Sequence, residues 1–233
     1  MDPFRLETPK TLEQAFEIIG NANGEVRPLA GGTDLIDQIR QGRRNPSVVL
    51  DMKHIPELTR LDWEPDKGLH IGAATSCARV YEDQIVNEYY PSIADGGRLI
   101  GSIQIQNRAA LGGNVCNGVP SADTVPSLLV YETKAVIGGP NGRREVPLEE
   151  FFLAPGKTVL KSDEILIELF VPRPPVNSYS HYLRFIPREE MDIAVVGTAS
   201  LIALNESGDC ETVRIALASV APTPVRATQA EII

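Results

Sequence analysis

Two segments of the chain pair glycines with polar side chains in a pattern that can hold an anion. The first is Leu29-Ala30-Gly31-Gly32-Thr33-Asp34-Leu35, and the second is Ala109-Ala110-Leu111-Gly112-Gly113-Asn114 with Asp123 following. In each, the glycines stand between an apolar stretch and a polar cap, where bare backbone amides can reach an anion without burying a counter-charge. Two such segments in one chain point to a ligand with an extended phosphate bridge. A bound dinucleotide is the first expectation.

Gly31 and Gly32 can adopt positive φ and admit a phosphate with no Cβ in the way, and Thr33 adds a hydroxyl donor. Asp34 would repel a phosphate if it pointed inward, so it is expected to cap the helix that starts there. A plain strand-to-helix turn that needs glycine explains this first segment equally well. The second segment runs into Val119-Pro120-Ser121-Ala122-Asp123-Thr124, a loop rich in groups that bond hydroxyls. Asn114 offers donors and acceptors, and Asp123 is either an acceptor for ribose or ribityl hydroxyls or the cap of a short helix over 125–128. Gln104, Gln106, Asn107 and Arg108 form a polar run upstream that could reach the same ligand.

Other chemistries find little support. Neither segment is G-x-G-x-x-G and no Walker lysine is present, which argues against nicotinamide or ATP binding through those folds. His54, His70 and His181 are scattered, without a triad or metal-ligand pattern, and Glu149-Glu150 and Glu189-Glu190 read as solvated faces. Cys77, Cys116 and Cys210 are an odd number with no C-x-x-C spacing, against a disulfide framework, a zinc site or an iron–sulfur cluster in this chain. Cys116 reads as a small filler in a tight loop, with no histidine near it to activate the thiol. A formal net charge of −9 over 233 residues, without a basic run, excludes nucleic acid as the main partner. Met1 to Glu7 lacks a secretory signal and no apolar run is long enough to span a membrane, so the cytoplasm is expected.

The elements that must position these residues follow from periodicity. Thr11-Leu12-Glu13-Gln14 opens a helix whose Leu12, Ala15, Phe16 and Ile19 recur at helical spacing until Asn23-Gly24. A strand over 26–30, a helix over 34–41 ended by Gly42, and a strand over 48–51 complete a small α/β unit. Beyond it come a strand over 69–72, helices over 77–89 and 91–99, and a hairpin of 134–138 with 144–146 about Asn141-Gly142. A strand over 164–171 then reaches Pro172-Arg173-Pro174-Pro175, read as a rigid border between folding units. Strands over 199–204 and 213–220 flank the turn Asn205 to Asp209, and a helix is expected to start at Arg226. Trp63 reads as a loop aromatic packed locally.

On these motifs the chain resembles the flavin-binding medium subunit of the molybdenum hydroxylases, the xanthine dehydrogenase and carbon monoxide dehydrogenase flavoprotein family. The resemblance spans essentially the whole chain. It is carried by Ala30 to Leu35, Asn107 to Asn114 with Asp123, Asp163-Glu164-Ile165-Leu166, Arg188 to Ala194, and Ala221 to Ala227. It implies an α+β fold: a two-subdomain FAD-binding domain of the PCMH, vanillyl-alcohol-oxidase-like type at 1–56 and 57–173, then a partial α+β C-terminal domain at 174–233. It implies non-covalent FAD held by Leu29, Ala30, Gly31, Gly32, Thr33, Asp34 and Leu35, by Gly101, Ala109, Ala110, Gly113, Asn114 and Asp123, and by Leu166 and Arg184. Many relatives carry serine at the position of Ala110 and lysine at that of Arg184, and they continue past Ile233, so the third unit is expected to be incomplete.

The resemblance further implies electron relay without a catalytic side chain. Molybdopterin and [2Fe-2S] clusters would belong to partner chains, a molybdenum large subunit and an iron–sulfur small subunit, in paired heterotrimers. Two other readings stay open from sequence: a stand-alone flavin oxidase or reductase of the same superfamily, and a non-catalytic assembly subunit.

Overall fold

The computed structural model describes residues 2–188 and 191–232, so the Glu189-Glu190 pair lies outside the described residues. The chain begins with β1 (Arg5–Glu7), α1 (Leu12–Asn21), β2 (Val26–Leu29), α2 (Leu35–Arg40) and β3 (Val48–Asp51). These strands form a parallel sheet in the order β1-β3-β2. Thr11 caps α1 by accepting the Gln14 N–H, as its sequence pattern requires, and Leu12 and Ala15 bury against Val48 and Leu50. β1 was not expected, because three half-exposed residues carry no apolar alternation.

The middle of the chain adds β4 (Leu61–Glu64), β5 (Gly68–Gly72), α3 (Cys77–Glu82), α4 (Gln84–Tyr89), α5 (Pro91–Arg98), α6 (Ile103–Gln106), α7 (Leu111–Asn117) and α8 (Val125–Val130). It continues with β6 (Lys134–Gly139), β7 (Gly142–Pro147), β8 (Phe152–Ala154), β9 (Lys157–Thr158) and β10 (Ile165–Pro172). Five of these strands pair antiparallel in the order β4-β5-β10-β6-β7, while β8 and β9 form a small separate ribbon. The Asn141-Gly142 hairpin forms as expected, with Gly142 at φ +106°. Two expectations fail here. The single helix over 77–89 is two, because extended Asp83 breaks it and accepts the Ile85 and Val86 N–H groups to start α4. Trp63 lies on β4, not in a loop, with its ring stacked 5.0 Å from Tyr89 and edge-on to Tyr90.

β10 serves two cores. Ile165 and Ile167 pack with the first unit, Leu166, Leu169 and Val171 with the helices, and a register shift between Leu166 and Glu168 switches the alternation. Glu164, just before this strand, is gripped through both carboxylate oxygens by Arg144 at 2.9 and 2.8 Å. That bidentate contact holds its pKa down to about 2. Its contribution is therefore full above the ordinary carboxylate range and is lost as pH falls through about 2. Arg144→Gln is expected to lower stability by about 1 kcal/mol at pH 7 and by nothing measurable near pH 2, read as the difference between the two melting curves. A gap that persists at low pH would assign the effect to lost packing instead.

The last strands are β11 (Ser178–Phe185), β12 (Val196–Leu204), β13 (Cys210–Ala218) and β14 (Val225–Arg226), paired antiparallel in that order. Asn205 holds the turn by accepting the Ser207 and Asp209 N–H groups. β13 starts earlier and stops sooner than expected, since Ser219 takes φ +68°, and Arg226 lies on a strand rather than opening a helix. The sheet turns Ala199, Leu201 and Ala216 onto α5 and α8, sharing one buried cluster with the middle of the chain. Small side chains let the helices approach closely, and α8, buried along its whole length against the C-terminal sheet and α5, needs no polar face.

Candidate functional site

Ligands of open parallel sheets gather at the carboxyl ends of the strands, and the first glycine segment sits at the end of β2, beside the end of β3. Gly32 adopts φ +77°, which turns the chain from β2 into α2. Among the described residues, the N–H groups of Gly31, Gly32, Thr33 and Asp34 donate to no acceptor. Asp34 does not cap α2: its backbone is already helical, and its carboxylate takes the Gln38 side chain one turn on instead. From the end of β3, Lys53 reaches across and donates to the Ala30 carbonyl at 2.9 Å while pairing with Asp51. This ammonium next to the loop was not singled out from sequence, because the link joins positions 23 residues apart.

The second glycine segment is a helix rather than a loop. Ala110 bridges to Ser76, the Cys77 N–H bonds the Ala109 carbonyl at 2.8 Å, and α7 begins at Leu111. Gly112 lies on the backbone of Ala73, where a Cβ would come within 2.6 Å of the Ala73 Cα. Leu111 and Val115 are fully buried, and that burial outweighs the poor helix propensity of the glycines and asparagines. Cys116 is thus on a helix, and burial pushes its thiol up to about 12, which makes it inert.

The two segments meet. A Cβ on Gly31 would overlap the Arg108 carbonyl and lie 2.7 Å from the Ala109 Cα, so the chain there must be glycine. Beside this contact, a Cβ on Gly113 would meet only the Ala30 methyl, at 3.9 Å. The first glycine loop thus lies against the start of α7, with open space beside Gly113. Of the upstream polar run, Arg108 contributes through this backbone contact. Gln106 is buried in a structural role, bonded to Tyr81 and to the Arg98 carbonyl, while Gln104 and Asn107 are exposed.

Asp123 does not cap α8. Its Oδ1 accepts the Tyr182 hydroxyl at 2.8 Å and its Oδ2 accepts Arg184 Nη1 at 2.8 Å. The pair is buried, with side chains 12% and 7% exposed for Asp123 and Arg184. Burial raises the Asp123 pKa, and Arg184 and Tyr182 oppose that rise. Among the described residues, no acceptor faces Arg184 Nε. Thr124 donates to Asn114 Oδ1 at 2.7 Å, which ties this loop to α7.

Residues 2–174 match the model of the FAD-binding domain in molybdopterin dehydrogenase, and residues 181–233 match the C-terminal domain of the carbon monoxide dehydrogenase flavoprotein. The chain belongs to this flavoprotein family. It is 35% identical to a xanthine dehydrogenase FAD-binding subunit of Escherichia coli O157:H7 over 95% of this chain and 75% of that one. Identity to the carbon monoxide dehydrogenase medium chain of Hydrogenophaga pseudoflava is 32%, over 96% of this chain and 77% of the relative. The solved carbon monoxide dehydrogenase of that organism, in a form lacking the Mo-pyranopterin moiety of its cofactor, superposes with a TM-score of 0.90 at 32% identity, covering 97% of this chain and 78% of that one. Reconstituted CO dehydrogenase from Oligotropha carboxidovorans gives 0.93 at 26% identity, covering 99% of this chain and 79% of the other. The α+β architecture, an FAD-binding domain followed by a C-terminal domain, is that of the family, and the chain is the flavoprotein component of an oxidoreductase.

The residues singled out in this flavoprotein fall into four places. Leu29 to Leu35, Ala109, Ala110, Gly113 and Asn114 belong to the two glycine segments that meet, and Asp123 with Arg184 forms the buried pair. Gly101 is exposed at φ +51° against Ile105, and Leu166 is buried on β10 in the cluster that holds α7. Tyr182 was not anticipated: nothing in its neighbourhood in sequence marks a residue that bonds Asp123 from 59 positions away. His70 lies between Glu168, at 3.1 Å, and Glu64, and His181 bonds Asp95; none of these partners belongs to the glycine segments. No helix among the described residues is long and apolar enough to cross a membrane.

Proposed function

We propose that this flavoprotein holds FAD non-covalently where its glycine segments meet and relays electrons from the [2Fe-2S] clusters of a partner subunit to an external acceptor. The observation that carries the reading is the backbone contact of Gly31 with Arg108 and Ala109, which brings the unpaired Gly31 to Asp34 amides beside the start of α7 in a chain of this family. The donor set fits the cofactor. Neutral N–H groups from Gly31 to Asp34 suit a pyrophosphate, the space beside Gly113 would be filled by any side chain, and Arg184 Nε is a buried donor without an acceptor. Leu29 to Leu35, Gly101, Ala109, Ala110, Gly113, Asn114, Asp123, Leu166 and Arg184 are the contacts assigned to it.

Once bound, FAD supplies the redox chemistry, accepting and releasing electrons. The protein's part is orientation. Lys53 fixes the Ala30 carbonyl and so the direction of the next amides, Asn114 and Thr124 set the rim, and Asp123 offers a negative acceptor to hydroxyls. Substrate oxidation is assigned to a molybdenum large subunit and cluster chemistry to an iron–sulfur small subunit, in paired heterotrimers in the cytoplasm; a relative that is itself a medium chain supports assembly with other subunits. A visible absorption spectrum of the purified chain, with and without added FAD, tests the reading. Uptake of a yellow chromophore that denaturation releases as FAD is expected. A folded chain that neither retains nor takes up FAD overturns it.

A further inference from the structure

We propose that Tyr182 is a positioning residue of the FAD site, acting through Asp123, so that the C-terminal sheet completes a site otherwise built by the glycine segments. The inference rests on the reading of Asp123 as an acceptor for FAD hydroxyls. Tyr182 is 2% exposed on β11, where phenylalanine would serve packing alone. Its hydroxyl instead donates 2.8 Å to Asp123 Oδ1, the partner a buried phenol needs.

A second position is adapted to the same contact. Tyr182 pairs in register with Ala199 on β12, and its ring lies over Gly197, two residues away on that strand. A Cβ at Gly197 would lie 3.0 Å from Tyr182 Cζ and overlap the hydroxyl oxygen. Glycine inside a strand weakens it, and here it opens the path by which the hydroxyl reaches Asp123. Arg184, two residues along β11, takes the other carboxylate oxygen. One donor on each oxygen fixes the plane of the carboxylate and leaves a lone pair on each for a ligand. From the far side, α5 meets the Asp123 backbone with Gly96, while its Asp95 accepts the Tyr182 backbone N–H at 3.2 Å and pairs with His181. The side chains that act on the Asp123 carboxyl itself are Tyr182 and Arg184.

The test is a double-mutant cycle on FAD affinity, measured by flavin fluorescence on the full chain. Tyr182→Phe keeps the ring and removes one hydrogen bond to a charged group, so the Kd for FAD is expected to rise about tenfold with the circular dichroism spectrum unchanged. In an Asp123→Asn background the same change is expected to have almost no effect, because its target is already altered. The pH at which affinity falls on acidification is expected to move upward in Tyr182→Phe, since one of the two groups holding the Asp123 carboxyl down is gone. Gly197→Ala, which displaces the hydroxyl, is expected to reproduce the loss. Wild-type affinity with an unshifted pH profile in Tyr182→Phe, or a loss that adds in full to that of Asp123→Asn, overturns the proposal. Wild-type FAD affinity in Asp123→Asn alone instead overturns the assignment of Asp123, and the role of Tyr182 with it.

Discussion

Gly31→Ala is expected to weaken FAD binding at least about a hundredfold, roughly 3 kcal/mol, and to lower the melting temperature as well. The new methyl group would collide with the Arg108 carbonyl and stand 2.6 Å from the carbonyl carbon and 2.7 Å from the Ala109 Cα. All three atoms are backbone, so no side chain can swing away. They belong to the segment that leads into α7, whose entry is fixed by the Cys77 to Ala109 hydrogen bond and the bridge of Ala110 to Ser76. Relief therefore has to come from parting the two glycine segments, and overpacking of that kind costs about 1–3 kcal/mol even where side chains can adjust. Parting them moves the Gly31 to Asp34 amides away from Gly113, and a ligand that bridges both loses one side or pays to restore it. Gly20→Ala is the control: nothing lies within 4 Å of its added methyl on α1, and it is expected to melt at or slightly above wild type with unchanged FAD affinity. FAD titration together with thermal melts decides the matter. Wild-type affinity in Gly31→Ala would mean that the contact of the two segments is not part of the FAD site.

What was legible in the sequence is what local physics determines. Thr11 with the spacing of Leu12, Ala15, Phe16 and Ile19 is sufficient for α1, and Asn141-Gly142 between two β-prone runs is sufficient for its hairpin. The first glycine segment was legible as a strand-to-helix turn because its conformation is set within four residues. The second was legible as important but not as a helix. Leu-Gly-Gly-Asn-Val-Cys-Asn has low helix propensity throughout, and only the burial of Leu111 and Val115 and the seat of Gly112 on Ala73 make it one. The same holds for β10, whose switch between two cores depends on a register shift opposite β6 that no periodicity in one strand could reveal. Asp34 and Asp123 show the limit most clearly. Both were reasonable caps by position; one is drawn off by Gln38 a turn later, the other by Tyr182 and Arg184 about 60 residues away.

Arg184→Met is expected to cost about 3–5 kcal/mol at neutral pH, because it leaves the Asp123 carboxylate buried with the Tyr182 hydroxyl as its remaining partner. The size of that loss should depend on pH in a direction fixed by Asp123. Its pKa in the folded protein is raised, burial being the largest cause, with the Arg184 charge and the two hydrogen bonds opposing it. A carboxyl with a raised folded pKa supports folding fully when pH is below its unfolded value, and that support is lost as pH climbs through the folded value. Removing Arg184 takes away the strongest opposing influence, so the folded pKa moves further up and the loss extends over a wider span of pH. The gap in melting temperature between wild type and Arg184→Met should thus be widest in mildly alkaline buffer and close steadily on acidification, as the variant's Asp123 becomes neutral. Adding Asp123→Asn to Arg184→Met removes the uncompensated charge and should recover most of the lost stability at pH 8, while Asp123→Asn alone leaves Arg184 buried without its ion and should destabilise. A gap that stays constant from pH 8 to pH 4, or a double variant no better than Arg184→Met, would place the effect of Arg184 in packing and not in its charge. Restored stability in the double variant without restored FAD affinity would separate the two roles of the pair: Arg184 makes a buried carboxylate tolerable, and the carboxylate is there for the ligand.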